Sequence, residues 1–583
     1  MNGASLFIVF IVAKLVIIAG SDLKWSASTP LALVWQDAAF VLGYAVLEKL
    51  PRSRFIMGAL YWPIAVYVAL NVPVIRMFSS PLTLPMLRAA RGTLADSITH
   101  HLDAANLLGI GLVLVTAAVV PIYLRRWAIA PGIRFHAGLG AVCLLGLWND
   151  TNSGGLQRNC IAVLILSGQD RVTPLMLADR GDWRRTSANS TLASWQGTAK
   201  RRDVVLVLLE STGERYLKFY GADLDPTPNL TRMAQSGIVF DYAYAASPES
   251  IKGLFSILAS RYPAIETPTE KYRHIGKPSL AHVLRAAGYR TGLFHSGRFM
   301  YLGMDDVIFD RGYEELCDAG AIGGQHESSF GVEEPATVNR MLQWLEGLPS
   351  DEPFFVTYLP TAGHHPYLTP KPGPFSEETD AQRYLNALHY GDEALGQLLE
   401  GLQRLGRYEN CLFVFSGDHG EAFGEHPGNF GHTLYIYEEN VRVPLVVYAP
   451  GLTKGGCRVR HLASVIDIAP TMLDMLGLKI PPAYQGVSLL RAEPRTALFC
   501  TDYSTRLVGV REEQWKFIYE IESGRSSLFN LENDPGETID LSAGFPDWTL
   551  LLERRARTWV AAQKGLVQRD AAGVKRSDSA EDR

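Results

Sequence analysis

The sequence predicts an N-terminal polytopic helical membrane domain followed by a large α/β domain. Three observations carry this. Most long apolar runs lie before about residue 150. Downstream, short continuous apolar runs end abruptly in acids, serines and histidines. The mean hydropathy of +0.04 is therefore an average over two unlike parts. The expected boundaries are 1–150 for the transmembrane domain, 151–200 for a polar linker, 201–545 for the α/β domain and 546–583 for a C-terminal helix and disordered tail.

Five apolar stretches meet the length a bilayer asks for, or come near it: roughly 5–20, 31–47, 55–75, 107–124 and 133–148. The first lacks a basic n-region and a clear small-residue cleavage site, so it does not read as a cleavable signal peptide. The fifth is short and holds Arg134 and His136. Basic residues between spans set orientation. Lys49, Arg52 and Arg54 mark the second connection, and Arg125, Arg126 and Arg134 the fourth; both read as cytoplasmic. The first connection carries one lysine, Lys24, and the third is longer and mixes arginines with acids. Five spans with the N-terminus inside place everything after Trp148 outside. Lys14 and Asp37 lie within apolar runs, each about six residues from the outer end of its helix. An intramembrane charge is costly unless paired, so a Lys14–Asp37 pair is expected; the alternative is a snorkelling lysine and an aspartate facing a polar cavity. Within the linker, the apolar run 160–166 reads as a helix lying on the membrane or on the soluble domain.

The soluble part, about 350 residues, makes one large domain or two small ones at roughly 100–200 residues per domain. A net charge of -5 and the lack of a long basic cluster give no reason to expect nucleic acid. Six scattered cysteines without a CxxC pair offer neither a zinc–thiolate site nor a clear disulfide framework, though one or two bridges are compatible with an oxidising compartment.

Residues 204–209 form a continuous apolar run that reads as a buried parallel strand. It ends at Glu210, where open α/β sheets gather their ligands; an acid there equally serves to cap a following helix. Residues 412–415 form a second such strand, and Asp418 and His419 follow it. One hard oxygen and one imidazole nitrogen suit zinc or manganese; a turn with a solvated histidine is the plainer alternative. From Ile251 the apolar residues fall at helical spacing, which puts Ser250 at a helix N-terminus. That position favours an alkoxide or a phosphoryl oxygen, but serine is also among the commonest helix caps. His364 follows the strand-like run 354–359, and His432 precedes the segment YEENVRVP; each alone could be an ordinary loop histidine.

Taken in order, these segments resemble the sulfatase branch of the alkaline phosphatase superfamily over about residues 200–545. Ser250 stands 13 residues before Pro263 of Arg261-Tyr262-Pro263, the spacing of the sulfatase nucleophile pattern C-x-P-S-R-x-x-L-L-T-G-R-Y-P. The segments from Thr227, Ser416, Tyr437 and Leu528 are also similar to sulfatase sequences. Ser250-Ile251-Lys252-Gly253-Leu254 lacks the core that directs conversion to formylglycine, so residue 250 is expected to stay a serine. Where sulfatases usually have two aspartates after the first strand, this chain has Glu210 and Ser211. A single glutamate, an unmodified nucleophile and five preceding spans resemble instead the membrane transferases of the superfamily, the lipoteichoic acid synthases and the lipid A phosphoethanolamine transferases. No cysteines bracket Ser250 as in the latter, and Leu302 and Met304 stand near where the former carry Trp and Arg.

The resemblance implies an alkaline phosphatase/sulfatase-like α/β/α sandwich. It implies one divalent metal ion, zinc or manganese, held by Glu210, Ser250, Asp418 and His419, with His364 and His432 binding the substrate's phosphate. It implies a bacterial cytoplasmic (inner) membrane enzyme with an extracytoplasmic catalytic domain, a phospholipid donor and an envelope glycan or lipid acceptor. A hydrolase of sulfuric or phosphoric esters and a non-enzymatic binding protein are the other readings. Retention of all four metal-site residues argues against the last.

Overall fold

The computed structural model describes residues 2–19, 25–50, 53–78, 80–89, 103–127, 132–149, 156–176, 183–184, 186–188, 190–325 and 331–581. They fall into two compact units. One comprises Met1–Arg91, Ala95–Asp170 and Gly424–Phe430, and the second Gly92–Leu94, Arg171–Phe423 and Gly431–Arg583.

The first unit holds the helices α1 (Asn2–Ile18), α2 (Thr29–Lys49), α3 (Arg54–Phe78), α4 (Ala104–Arg126), α5 (Ile133–Gly146) and α6 (Cys160–Ser167). Every apolar stretch named from the sequence is helical. Among the described residues, three helices are long and apolar enough to cross a membrane, over Thr29–Lys49, Phe55–Arg76 and Ala104–Arg126. Helices α1 and α5, at 17 and 14 residues, are shorter than the ~20 residues a hydrocarbon core demands. Along α1 the buried residues Leu6, Val9, Phe10, Ala13 and Ile17 recur every three or four positions, the spacing of one helical face. The Lys14–Asp37 pair forms: Nζ lies 2.9 Å from Oδ2. Asn159 donates to the other carboxylate oxygen at 2.7 Å. Helix α6, the apolar run of the expected linker, belongs to this same unit. Lys24 and Arg52, used above for orientation, lie outside the described residues, as do residues 79 and 90–102 of the third connection.

The second unit is an α/β/α sandwich. Its strands are β1 (Asp203–Leu209), β2 (Ile238–Tyr244), β3 (Arg290–His295), β4 (Glu315–Cys317), β5 (Phe354–Leu359), β6 (Cys411–Gly417), β7 (Arg442–Val443), β8 (Leu445–Tyr448) and β9 (Cys457–Ser464). They form one nine-stranded sheet in the order β7-β2-β8-β6-β1-β5-β3-β4, with β9 paired to β2. The five strands from its middle to one edge, β6-β1-β5-β3-β4, are parallel. Strand alternation sends Val204, Leu206 and Leu208 into one apolar core and Val205 and Val207 into another. The continuous apolar run of β1 thus reflects burial on both faces. Helix α7 (Ser250–Ala259) packs in the first core, and α8 (Asp380–Arg404) covers the second.

A four-stranded antiparallel sheet follows, β10 (Thr496–Thr501), β11 (Leu507–Glu512), β12 (Trp515–Glu520) and β13 (Ser526–Asn530). The final helix, α9 (Pro546–Glu581), buries Leu552, Ala556, Trp559 and Val560 against the first core. The region expected to be a helix and tail is thus helical to Glu581, and its first half is part of the domain. All six cysteines are free thiols.

Candidate active site

Parallel register builds the centre of the site. Leu209 of β1 lies opposite Gly417 of β6, so Glu210 and Asp418 leave adjacent strand ends side by side. Two glycines permit the close packing this needs. A Cβ on Gly363 would meet the Glu210 carbonyl oxygen at 2.2 Å, and one on Gly420 the Glu439 carbonyl oxygen at 2.1 Å.

Ser250 is the first residue of α7, and the capping position is Glu249. Its hydroxyl is therefore not spent on capping. It donates towards Glu210 Oε1 at 3.3 Å and lies 3.0 Å from His419 Nε2. His419 Nε2 is in turn 3.5 Å from Glu210 Oε1 and 3.4 Å from Asp418 Oδ2. His419 Nδ1 faces the Gly420 carbonyl at 3.0 Å, which fixes the tautomer and turns the Nε2 lone pair towards Ser250. Asp418 Oδ1 accepts from the backbone amides of Ser211 and His419 at 3.1 and 2.8 Å. Ser211, held at φ 52°, donates its hydroxyl to Glu210 Oε1 at 2.9 Å.

His432 and His364 complete the cluster. The His432 ring stacks on His419 with centroids 4.1 Å apart, and the His364 ring lies 6.0 Å from that of His432. All six residues named from the sequence therefore converge. The sequence reading missed Glu421. It is fully buried, sits 2.7 Å from His432 Nδ1, and also accepts the hydroxyl of Tyr367. The motif SGDHGE contains it, but its role depends on a partner eleven residues away across the fold.

Burial holds His419 and His432 down to about 4, so both imidazoles stay neutral. Burial pushes Asp418 and Glu421 up to about 7; Glu210 is raised by burial and then by the neighbouring Asp418. Buried carboxylates this close, with histidines as their basic neighbours, lack a full positive charge. Donor atoms of Glu210, Asp418 and His419 lie within 4.8 Å of one another, as do those of Glu210, His364 and His432. The first group combines two carboxylate oxygens and one neutral nitrogen, a donor set that fits a divalent cation.

Residues 202–478 match the family model described as Sulfatase, and residues 424–545 that described as N-sulphoglucosamine sulphohydrolase, C-terminal. The chain is 25% identical over 440 residues to a choline-sulfatase of Rhizobium meliloti (strain 1021), covering 59% of this chain and 83% of that one. It is 23% identical over 341 residues to the lipoteichoic acid synthase-like YvgJ of Bacillus subtilis (strain 168), covering 55% of this chain and 54% of the relative. It thus spans about half of the latter's length. In fold it resembles the crystal structure of the lipoteichoic acid synthase LtaP from Listeria monocytogenes, with a TM-score of 0.53 and 18% identity over 67% of this chain and 97% of that one. A protein in the alkaline phosphatase superfamily from Vibrio parahaemolyticus gives 0.51 and 19%, over 71% and 98% of the two chains. The fold is that of the alkaline phosphatase/sulfatase superfamily. Within it, residues 202–478 are a sulfatase-family domain.

Proposed function

We propose that this protein is a membrane-anchored phosphotransferase. It moves a phospho-alcohol head group, of the phosphoethanolamine or phosphoglycerol type, from a phospholipid to an envelope glycan or lipid through a covalent Ser250 intermediate. The carrying observation is the Ser250 hydroxyl, free of any capping role and set 3.0 Å from His419 Nε2 and 3.3 Å from Glu210 Oε1. The missing formylglycine motif leaves that hydroxyl unmodified. Three helices able to cross a membrane and the similarity to a lipoteichoic acid synthase-like relative support a lipid donor. An anchor in the same membrane raises the local concentration of such a donor.

Glu210, Asp418, His419 and the Ser250 hydroxyl would hold one zinc or manganese ion. When bound, it supplies the positive charge that lowers the hydroxyl's pKa and offsets the charge of the phosphoryl oxygens. The remaining steps belong to side chains. Ser250 Oγ, its proton passed through solvent to His432, attacks phosphorus in line; the bond to the diacylglycerol oxygen breaks. His364 and His432 flank the phosphate. An arriving anion favours the protonated form of His432, and both rings donate from Nε2 to its oxygens. Glu421 keeps His432 oriented and supports its charge, so His432 can protonate the departing diacylglycerol. In the second half, an acceptor hydroxyl returns that proton to His432 and attacks phosphorus, and Ser250 Oγ leaves.

A second reading, hydrolysis of a sulfuric or phosphoric ester, is favoured by the match of residues 424–545 to the sulphohydrolase C-terminal family and by the choline-sulfatase relative. Incubation with phospholipid labelled in the head group separates the two. Label found on an acceptor glycan or lipid supports transfer; label released only into water supports hydrolysis.

A further inference from the structure

We propose that Lys252 is a positioning residue for Ser250, fixing the start of α7 against the end of strand β10. The inference rests on the reading of Ser250 as the attacking group. Lys252 is buried in the first turn of α7, two residues after Ser250. Its ammonium lies 2.9 Å from the carboxylate of Glu249, the residue immediately before Ser250, and pairs with Asp502, the residue immediately after β10. Thr501 next to it donates its hydroxyl to the Thr433 carbonyl at 2.6 Å, beside His432. One two-residue segment, 501–502, is thereby tied to Lys252, through Lys252 to Glu249, and to the neighbour of His432. It sets the distance across which the phosphate must fit.

Asp502 is itself held. Its second oxygen accepts the backbone amide of Glu266. The Glu266 carboxylate is in turn clamped by Arg506 at 2.6 Å and Lys564 of α9 at 2.5 Å. The opposite side of the same helical turn has no slack, because a Cβ on Gly253 would lie 3.0 Å from the Asp418 carbonyl oxygen. A shift at Lys252 therefore reaches Asp418 and Ser250 together. Buried ion pairs add little net stability over apolar replacements, so a geometric role accounts better for a buried lysine at this place.

The test compares the full-length wild type in detergent with Lys252→Arg and with the double variant Lys252→Met/Asp502→Asn, which removes the pair from both sides. Melting temperature, kcat and KM for bis(p-nitrophenyl) phosphate, and affinity for added Zn2+ are measured. Positioning predicts a folded double variant with KM nearly unchanged, kcat reduced by about 100-fold, and at least a tenth of wild-type kcat in Lys252→Arg. A kcat within threefold of wild type in the folded double variant overturns it. So does a Lys252→Arg variant as slow as the double variant, or parallel loss of kcat, KM and melting temperature. If the wild type releases no p-nitrophenol, it is the ester-transfer reading that fails, and Zn2+ decides the positioning claim. About tenfold weaker Zn2+ binding in the double variant, matching a Ser250→Ala control, supports it, and unchanged affinity overturns it.

Discussion

At the residue scale, the account turns on what Ser250 does with its hydroxyl. Serine at a helix start usually caps it, yet here Glu249 occupies the capping position and Ser250 faces Glu210 and His419. Ser250→Ala should therefore abolish turnover while costing about 1 kcal/mol of stability, the worth of an ordinary hydrogen bond; stopped assays and thermal melts check both. Glu210→Ala and Asp418→Ala should each lose the metal by elemental analysis, and full occupancy in both would falsify the assignment. Glu421→Gln keeps a hydrogen-bond acceptor for His432 but removes the charge behind it. It should lower kcat by about 10–100-fold, the usual cost of losing the partner of a site histidine, and leave KM close to wild type. His295 carries the pH prediction. It is buried beside the Leu359 carbonyl, and burial lowers it to about 4 from 6.5. Its contribution to stability is full above pH 6.5 and is lost as pH falls towards 4, because the unfolded chain binds the proton first. Roughly 3 kcal/mol is at stake at about 1.4 kcal/mol per unit, so stability of His295→Gln should fall less steeply over that range in denaturant titrations.

At the element scale, the site is made of strand ends, and those were readable. The runs 204–209, 354–359 and 412–415 became β1, β5 and β6 because a strand buried on both faces admits almost no polar residue. Glu210, His364, Asp418 and His419 follow them directly or within a short loop, so sequence position alone brought them near one another. Glu421 and Tyr367 could not be read in this way, since each acts through a contact made only after the loops fold together. Nor could the clamp of Lys252 by Asp502, 250 residues away. The loop after β5 supplies a prediction. Gly363→Ala would drive a Cβ into the Glu210 carbonyl at 2.2 Å. The loop must then move off β1, and activity should drop by about 100-fold, as a misplacement of about 1 Å does. Retention of activity within a few-fold in kinetic assays would show that the strand ends are less tightly packed than described.

At the scale of the whole molecule, the chain joins a helical unit rich in apolar surface to an α/β/α catalytic unit. The membrane half was legible from apolar runs, and the Lys14–Asp37 pair from the cost of an unpaired intramembrane charge. Length separates the three helices able to span from α1 and α5, which composition alone did not distinguish. The packing of α9 into the catalytic core escaped the sequence because its polar outer face dominates its composition. Orientation is tested by an alkaline phosphatase reporter fused near residue 200, which should be active only outside the cytoplasm, as the positive-inside rule predicts. The central claim, covalent catalysis by Ser250 on a phospholipid, is tested most directly by mass spectrometry of the purified full-length protein after brief incubation with phosphatidylethanolamine or phosphatidylglycerol. The account predicts an added head-group phosphodiester mass confined to the peptide carrying Ser250, absent in Ser250→Ala, with diacylglycerol released in equal amount. Diacylglycerol release that persists undiminished in Ser250→Ala, with no adduct on the wild type, would contradict it.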